Sequence, residues 1–135
     1  MTERTLAQEA IAAMNHAYAP YSGFFVGAAL LAADGKVYTG CNVENASFTP
    51  TVCAERTAVF KAVSEGVRDF KMLAIVGGKG GRINGICPPC GVCRQVLSEF
   101  CPPDFPILLV EAPDRFRKVT LADLLPYAFS AEDTL

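Results

Sequence analysis

The sequence predicts an α/β fold, a three-layer α-β-α sandwich around a mixed sheet of about five strands. Segments of strand character alternate with segments of helical periodicity along the chain. An Asp-Gly turn joins the first two strands into a hairpin. Two later strands are continuously apolar, which is typical of strands covered on both faces. A hairpin followed by β-α-β crossovers requires a mixed sheet with helices packed against it.

The first half of the chain begins with a helix predicted at Thr5–Tyr18, because apolar residues recur there at spacings of three and four and a Pro-containing turn follows. Strands at Phe24–Ala32 and Val37–Val43 flank the Asp-Gly turn, whose residues adopt the positive φ angles of a tight hairpin. A helix follows at Cys53–Val63. Three alanines share one face of that helix and permit close approach to a sheet, and Gly66 ends it.

The second half alternates short strands with helices. Apolar runs predict strands at Met72–Val76 and Ile107–Glu111, and a glycine-rich loop over Gly77–Gly85 follows the first of them. A helix is predicted at Cys90–Phe100, between these strands. The remaining predicted elements are a strand at Phe116–Val119 and a helical segment near Thr120–Leu125.

The composition excludes several classes of protein. The chain has 135 residues, the size of one domain, which we expect to span residues 1–135. It is 51% hydrophobic and 19% charged, which excludes disorder. The net charge of -2 gives no reason to expect binding to nucleic acid or to an anionic membrane. The apolar runs are too short to span a membrane and the N-terminal segment does not resemble a signal peptide, so we expect a cytoplasmic protein.

Cysteines at two predicted helix starts indicate a metal site. Cys53 begins one helix, and Cys90 and Cys93 begin the next in a Cys-x-x-Cys turn. A helix N-terminus favours the thiolate form, and such a turn is suited to tetrahedral zinc. The crossover between the two helices can bring both starts to the same edge of the sheet. Three thiolates with a fourth position left to water are typical of a catalytic zinc site.

Charged neighbours of these cysteines could supply further chemistry. Glu55 could take a proton from water activated by the metal and return it to a substrate. The Arg56 guanidinium is the first candidate to offset the thiolate charge, and Arg94 is the second. His16, the only histidine, lies far upstream, and we interpret it as a surface or packing residue.

Simpler interpretations remain open for several residues. Cys87 and Cys90 also form a Cys-x-x-Cys pair, so a redox dithiol is the main rival, although such a motif should directly follow a strand. Cys41 and Cys101 fit small core residues. The Gly77–Gly81 run lacks the ending of a phosphate-binding loop and fits a surface loop. A structural zinc module without catalysis would need a closed coordination shell.

Several segments together resemble a known family. Cys-Ala-Glu at positions 53–55 and Pro-Cys-Gly-x-Cys-Arg-Gln at positions 89–95 are similar to the zinc-dependent cytidine deaminases, specifically the small homotetrameric type. The resemblance covers nearly the whole chain. The other matching segments are Tyr18–Ser22, Phe24–Leu30, Gly40–Ala46, Leu124–Pro126 and Ala128–Ser130.

The resemblance implies a role for each matching residue. Cys53, Cys90 and Cys93 would bind one zinc ion per chain, Glu55 would shuttle protons, and Arg56 would lie beside the thiolates. Phe24 would pack against the pyrimidine, Asn42 and Glu44 would bind the ribose hydroxyls, the Ala54 backbone would hold the base carbonyl, and Phe129 would reach a neighbouring subunit's site. The expected reaction is hydrolytic deamination of cytidine and deoxycytidine in pyrimidine salvage, by a homotetramer with composite active sites.

Two residues depart from the family pattern. Phe48 stands where the family often has Tyr, and Pro88 replaces a residue that is usually Ser or Thr. Both changes concern the substrate rather than the chemistry. They leave open a second interpretation, the deamination of another cytosine nucleoside, such as a modified nucleoside or a nucleoside antibiotic.

Overall fold

The computed structural model describes residues 1–134. Its elements, in chain order, are α1 (Glu3–Met14), β1 (Phe24–Ala32), β2 (Val37–Cys41), α2 (Ala54–Ser64), β3 (Phe70–Lys79), α3 (Gly91–Phe100), β4 (Pro106–Ala112), β5 (Arg115–Thr120) and α4 (Leu121–Leu124), followed by a 3₁₀ turn at Ala131–Asp133. The predicted order of helices and strands is confirmed. Within the described residues, no helix is long and apolar enough to cross a membrane.

The strands form one five-stranded mixed sheet in the order β2-β1-β3-β4-β5. β1 is antiparallel to both β2 and β3, so β2 and β3 point the same way. β3 and β4 are parallel, and β5 returns antiparallel to β4. The connections through α2 and α3 therefore both join parallel strands, and both helices begin at the edge where β2 and β3 end.

Helices cover both faces of the sheet, which confirms the predicted three-layer sandwich. On one face α1 packs alone, through buried residues such as Leu6 and Ala10, against Val76 and Leu108 of the sheet. On the other face α2 and α3 share a core with β1, β3 and β4. Continuous burial of Leu73–Val76 matches the strand covered on both sides that the sequence predicts.

The first helix is shorter than predicted. α1 ends at Met14, where the N–H of Asn15 bonds back to the carbonyl of Ala12, and residues up to Tyr18 are not helical. The Tyr18 backbone instead pairs with the chain after β2, since its N–H donates to Asn42 O at 2.9 Å. His16 is therefore an exposed residue beyond the helix rather than within it.

The predicted glycine-rich loop begins three residues later than expected, at Gly80 rather than at Gly77. β3 continues to Lys79, because β1 offers it pairing partners up to that residue. Glycine is required at Gly78, where a Cβ atom would lie 1.9 Å from the Arg82 carbonyl oxygen as the chain turns back. At Gly77 a Cβ atom would lie 2.9 Å from Cys87 Sγ.

A glycine in β2 sets the depth at which α2 packs. A Cβ atom on Gly40 would lie 2.3 Å from the Ala54 carbonyl oxygen and 2.6 Å from the Ala58 nitrogen. Helix and strand backbones therefore touch at the first turn of α2. This close approach fixes the position of the helix start relative to the sheet.

We expect Gly40→Ala to lower the free energy of unfolding by about 1–3 kcal/mol, because the added methyl group forces α2 away from β2. Chemical denaturation measures the change. Gly91→Ala is the matched control: its Cβ would meet nothing within 4 Å at the start of α3, so stability should stay the same or rise slightly. Equal stability of Gly40→Ala and the native chain would contradict the close contact.

Candidate active site

Three thiols converge where α2 and α3 begin. Cys53 is the N-cap of α2, Cys90 is the N-cap of α3, and Cys93 lies in the first turn of α3. Cys90 Sγ is 3.5 Å from Cys53 Sγ and 3.5 Å from Cys93 Sγ, and all three sulfur atoms lie within 4.8 Å of one another. Neither N-cap sulfur makes a capping hydrogen bond, so both are free to act as ligands.

The cluster favours a thiolate at Cys53. Its pKa is lowered to about 5, most strongly by a hydrogen bond with the Cys93 thiol and then by Arg56. The pKa of Cys93 is raised, because the proton shared with Cys53 stays on Cys93 and because the side chain is buried. The cluster therefore supplies anionic sulfur, the form that binds metal.

Arg56 lies beside this sulfur, as its position after Glu55 suggests. Its Nη2 donates to Cys53 Sγ at 3.5 Å and to the Thr51 carbonyl oxygen at 3.4 Å. The prediction of Arg94 as a second counter-charge is wrong. Arg94 donates to the carbonyl oxygens of Pro89 and Leu124, each at 2.7 Å, and so ties the start of α3 to α4.

Glu55 is a buried carboxyl with an unused oxygen. Only 2% of the residue is exposed, and among residues 1–134 Oε1 has no hydrogen-bond partner. Burial removes the carboxylate from water and raises the pKa of Glu55 to about 7. An unpaired buried oxygen costs free energy unless something entering the site pairs with it, which is typical of a functional group.

The donor set fits a catalytic zinc ion. Thiolates are the soft ligands that zinc prefers, and catalytic sites use three protein ligands and keep one position open. In residues 1–134 no further His, Cys, Asp or Glu atom joins the three sulfurs. The structural module considered above requires a fourth protein ligand, which the described chain does not offer.

A cleft of about 370 Å³ opens beside the thiols. Its volume lies within the ordinary range of small-molecule sites, and its walls combine apolar side chains with a few polar groups. The residues lining it are Ser22, Phe24, Val26, Asn42, Glu44, Thr51, Val52, Cys53, Glu55, Ile75, Cys87, Pro88 and Cys90. The sheet edge thus brings Phe24, Asn42 and Glu44 together with the metal-binding cluster.

Asn42 and Glu44 are both anchored to the segment that enters β1. Asn42 donates through Nδ2 to Phe24 O at 2.8 Å and accepts at Oδ1 from the Val26 N–H at 2.9 Å. Glu44 Oε1 accepts the N–H groups of Tyr21 and Ser22, each at 3.0 Å, and Oε2 accepts the Ser22 hydroxyl. These donors, the Ser22 hydroxyl first, lower the pKa of Glu44 and keep it ionised.

The two remaining predicted substrate contacts, Ala54 and Phe129, lie in surroundings that differ from those of Asn42 and Glu44. Ala54 is fully buried at the first position of α2, where a helix leaves N–H groups without an intrahelical acceptor. Phe129 is 60% exposed and does not line the cleft of its own chain. Phe48 is also outside the cleft, where it is exposed and packs edge-on against Tyr21, whereas Pro88 lines the cleft.

Sequence reasoning missed part of the cleft wall. Val26 lies two residues after Phe24, so strand alternation could have placed both on one face. Cys87 lines the cleft as well. Burial raises its pKa to about 12, whereas the thiols of a reactive dithiol have a lowered pKa. Cys101 is buried as expected, but Cys41 is only half-buried on the edge strand β2.

Comparison with known proteins decides the family. The family model described as "Cytidine and deoxycytidylate deaminase zinc-binding region" matches residues 1–109. The chain belongs to this family.

The chain is similar to known cytidine deaminases over nearly its full length. It is 51% identical to the cytidine deaminase of Sporosarcina psychrophila, over 98% of this chain and 95% of the relative. It is 50% identical to that of Halalkalibacterium halodurans, over 98% of each protein. The crystal structure of the Burkholderia pseudomallei cytidine deaminase superposes with a TM-score of 0.88 at 47% identity, covering 96% of this chain and all of that chain.

We expect the purified deaminase to contain about one zinc ion per chain. Cys53→Ala should lose the metal, because only two of the three sulfurs remain and the thiol whose pKa is lowered to about 5 is gone. Metal analysis by mass spectrometry measures the zinc content.

Cys87→Ala is the matched control for this measurement, since Cys87 lines the same cleft as Cys53 but lies outside the three-sulfur cluster. It should retain zinc. Loss of zinc from Cys87→Ala but not from Cys53→Ala would contradict the assignment of the ligands.

Proposed function

We propose that the protein is a zinc-dependent hydrolase that deaminates cytidine and deoxycytidine, giving uridine or deoxyuridine and ammonia. The observation that carries the proposal is the placement of three thiols and the unpaired Oε1 of Glu55 around one nucleoside-sized cleft. The relatives named cytidine deaminase support the choice of substrate. In this proposal residues 1–135 act as one catalytic domain.

The chain divides the chemistry between the metal and Glu55. Zinc held by Cys53, Cys90 and Cys93 would act as a Lewis acid that makes water a nucleophile at neutral pH. Glu55 would take protons from the attacking water at Oε1 and pass one to ring nitrogen N3 and one to the 4-amino group, which then leaves as ammonia. Water supplies the oxygen of the product. Burial of Glu55 keeps this proton exchange away from bulk solvent.

The cleft offers contacts for each part of a nucleoside. Phe24 presents an aromatic face to the pyrimidine, and the free N–H of Ala54 reaches the base carbonyl. Asn42 and Glu44, fixed by their backbone contacts, accept and donate to the ribose hydroxyls. A neutral substrate of this kind needs no basic surface, in agreement with the net charge of -2.

We further propose a cytoplasmic homotetramer with composite sites that works in pyrimidine salvage. Six free cysteines fit a reducing compartment. Large apolar side chains are exposed near the cleft and near the C-terminus, which fits burial between subunits. These side chains are Tyr18, Tyr21, Val43, Phe48, Tyr127 and Phe129. Phe129, exposed on its own chain, would complete a neighbour's cleft.

We expect the native protein to release ammonia from cytidine, and Glu55→Gln to bind zinc normally while kcat falls at least about a hundredfold, because the amide cannot carry the proton. A coupled ammonia assay with a zinc determination on the same sample tests both points. A zinc-loaded Glu55→Gln protein that keeps its activity would remove Glu55 from the mechanism.

The same assay separates the remaining functions. Cytidine should be turned over with a higher kcat/KM than a base-modified cytosine nucleoside or a cytosine nucleoside antibiotic. The reverse order would favour the second interpretation, in which Pro88 reshapes the cleft for such a substrate. Zinc binding without ammonia release from any of them would leave a structural zinc module.

We expect Phe129→Ala to lower kcat/KM about tenfold, the equivalent of about 1.4 kcal/mol of lost aromatic contact. Co-expression with an excess of Glu55→Gln chains should restore the activity of each Phe129→Ala chain, because the neighbour then supplies the missing ring. A Glu55→Gln/Phe129→Ala double variant is the control and should restore nothing. A monomer in sedimentation analysis, or no restoration, would contradict the composite site.

A further inference from the structure

We propose that Ser22 is a positioning residue that holds the Glu44 carboxylate in place to accept a hydrogen bond from a ribose hydroxyl of the substrate. The inference rests on the proposed function and deepens it, because it explains how this site would recognise the sugar. Ser22 lines the cleft but contacts neither the metal-binding sulfurs nor Glu55 in the hydrogen-bond pattern of the described residues.

The two oxygens of Glu44 have unequal surroundings. An ionised carboxylate accepts about four hydrogen bonds, two at each oxygen. Oε1 already accepts the N–H groups of Tyr21 and Ser22, each at 3.0 Å. Within the described part of the chain, Oε2 accepts only the Ser22 hydroxyl. The remaining acceptor position therefore lies on Oε2, and the Ser22 side chain orients that oxygen.

The direction of the Ser22 hydroxyl is fixed by its second partner. The Phe24 N–H can only donate, and it donates to Ser22 Oγ at 3.0 Å. The hydroxyl proton is therefore free to point at Glu44 Oε2. Phe24 O in turn accepts from Asn42 Nδ2, so the Ser22 hydroxyl and the Phe24 backbone link the Glu44 and Asn42 side chains.

Apart from the contact between Ser22 Oγ and the Phe24 N–H, the backbone around Ser22 is held by groups other than its side chain. Lys79 Nζ donates to Ser22 O at 2.5 Å, and the Gly80 N–H donates to Gly23 O at 2.6 Å. The N–H groups that bind Glu44 Oε1 also belong to this backbone. Ser22 is exposed, so its replacement by Ala leaves no cavity. Removal of the hydroxyl should therefore loosen Oε2 while the fold and the loop stay in place.

The test compares the native enzyme with Ser22→Ala and Ser22→Thr on cytidine and on 2′,3′-dideoxycytidine, which lacks both ribose hydroxyls. For Ser22→Ala we expect KM for cytidine to rise about tenfold with kcat changed less than about twofold, and KM for the dideoxy compound to stay unchanged. Ser22→Thr, which restores the hydroxyl, should return KM for cytidine to near the native value.

Ser64→Ala is the matched control, because it removes an exposed serine hydroxyl that donates only to the Lys61 carbonyl oxygen at the end of α2. An unchanged KM for cytidine in Ser22→Ala would overturn the inference. An equal rise for both nucleosides would overturn it too, since a purely structural defect does not distinguish them. If the native enzyme deaminates no cytidine, the proposed function fails first, a result distinct from either of these.

Discussion

The geometry of the candidate active site depends on one constraint of the sheet. β2, β3 and β4 point the same way, and the helices between them, α2 and α3, pack on the same face. Each of these helices therefore begins at the edge where the preceding strand ends. Open α/β sheets bind their ligands at this edge. Two helix N-termini meet there, and each begins at a cysteine. Their aligned dipoles and free N–H groups favour anionic sulfur at that point.

The same edge explains why the residues proposed to bind the sugar lie beside the three-sulfur cluster although they come from different elements. β1 is antiparallel to its neighbours, so its first residue, Phe24, lies where β2 ends and Asn42 follows. The Asn42 amide and the Glu44 carboxylate then bond to backbone groups of the segment that enters β1. Gly40 allows α2 to touch β2, which keeps Glu55 deep beneath this edge. Loss of any of these contacts would move one half of the cleft relative to the other.

Much of this could be predicted from the sequence because the decisive signals are local. Strand β1 was predicted at its observed bounds, since an apolar run and an Asp-Gly turn delimit it. The cysteine spacing predicted a shared edge, which the structure shows in the sulfur positions. The end of α1 and the length of β3 could not be predicted, because pairing with distant segments decides both. The contacts of Arg94 and Ser22 could not be predicted for the same reason. Each side chain finds its partners through tertiary contacts, which the neighbouring residues in the sequence do not indicate.

Charge balance explains why Arg56 is needed where it lies. Three thiolates bring three negative charges to one divalent cation, which leaves an excess negative charge that would weaken the metal's pull on water. Arg56 is half-buried, and its hydrogen bond to Cys53 Sγ at 3.5 Å places the positive guanidinium group next to this sulfur. Charge drawn toward the guanidinium would be withdrawn from a bound zinc ion, which would keep more of its strength as a Lewis acid. Because Arg56 is the next residue after Glu55 on the first turn of α2, a single helix start would supply the proposed ligand, proton carrier and counter-charge.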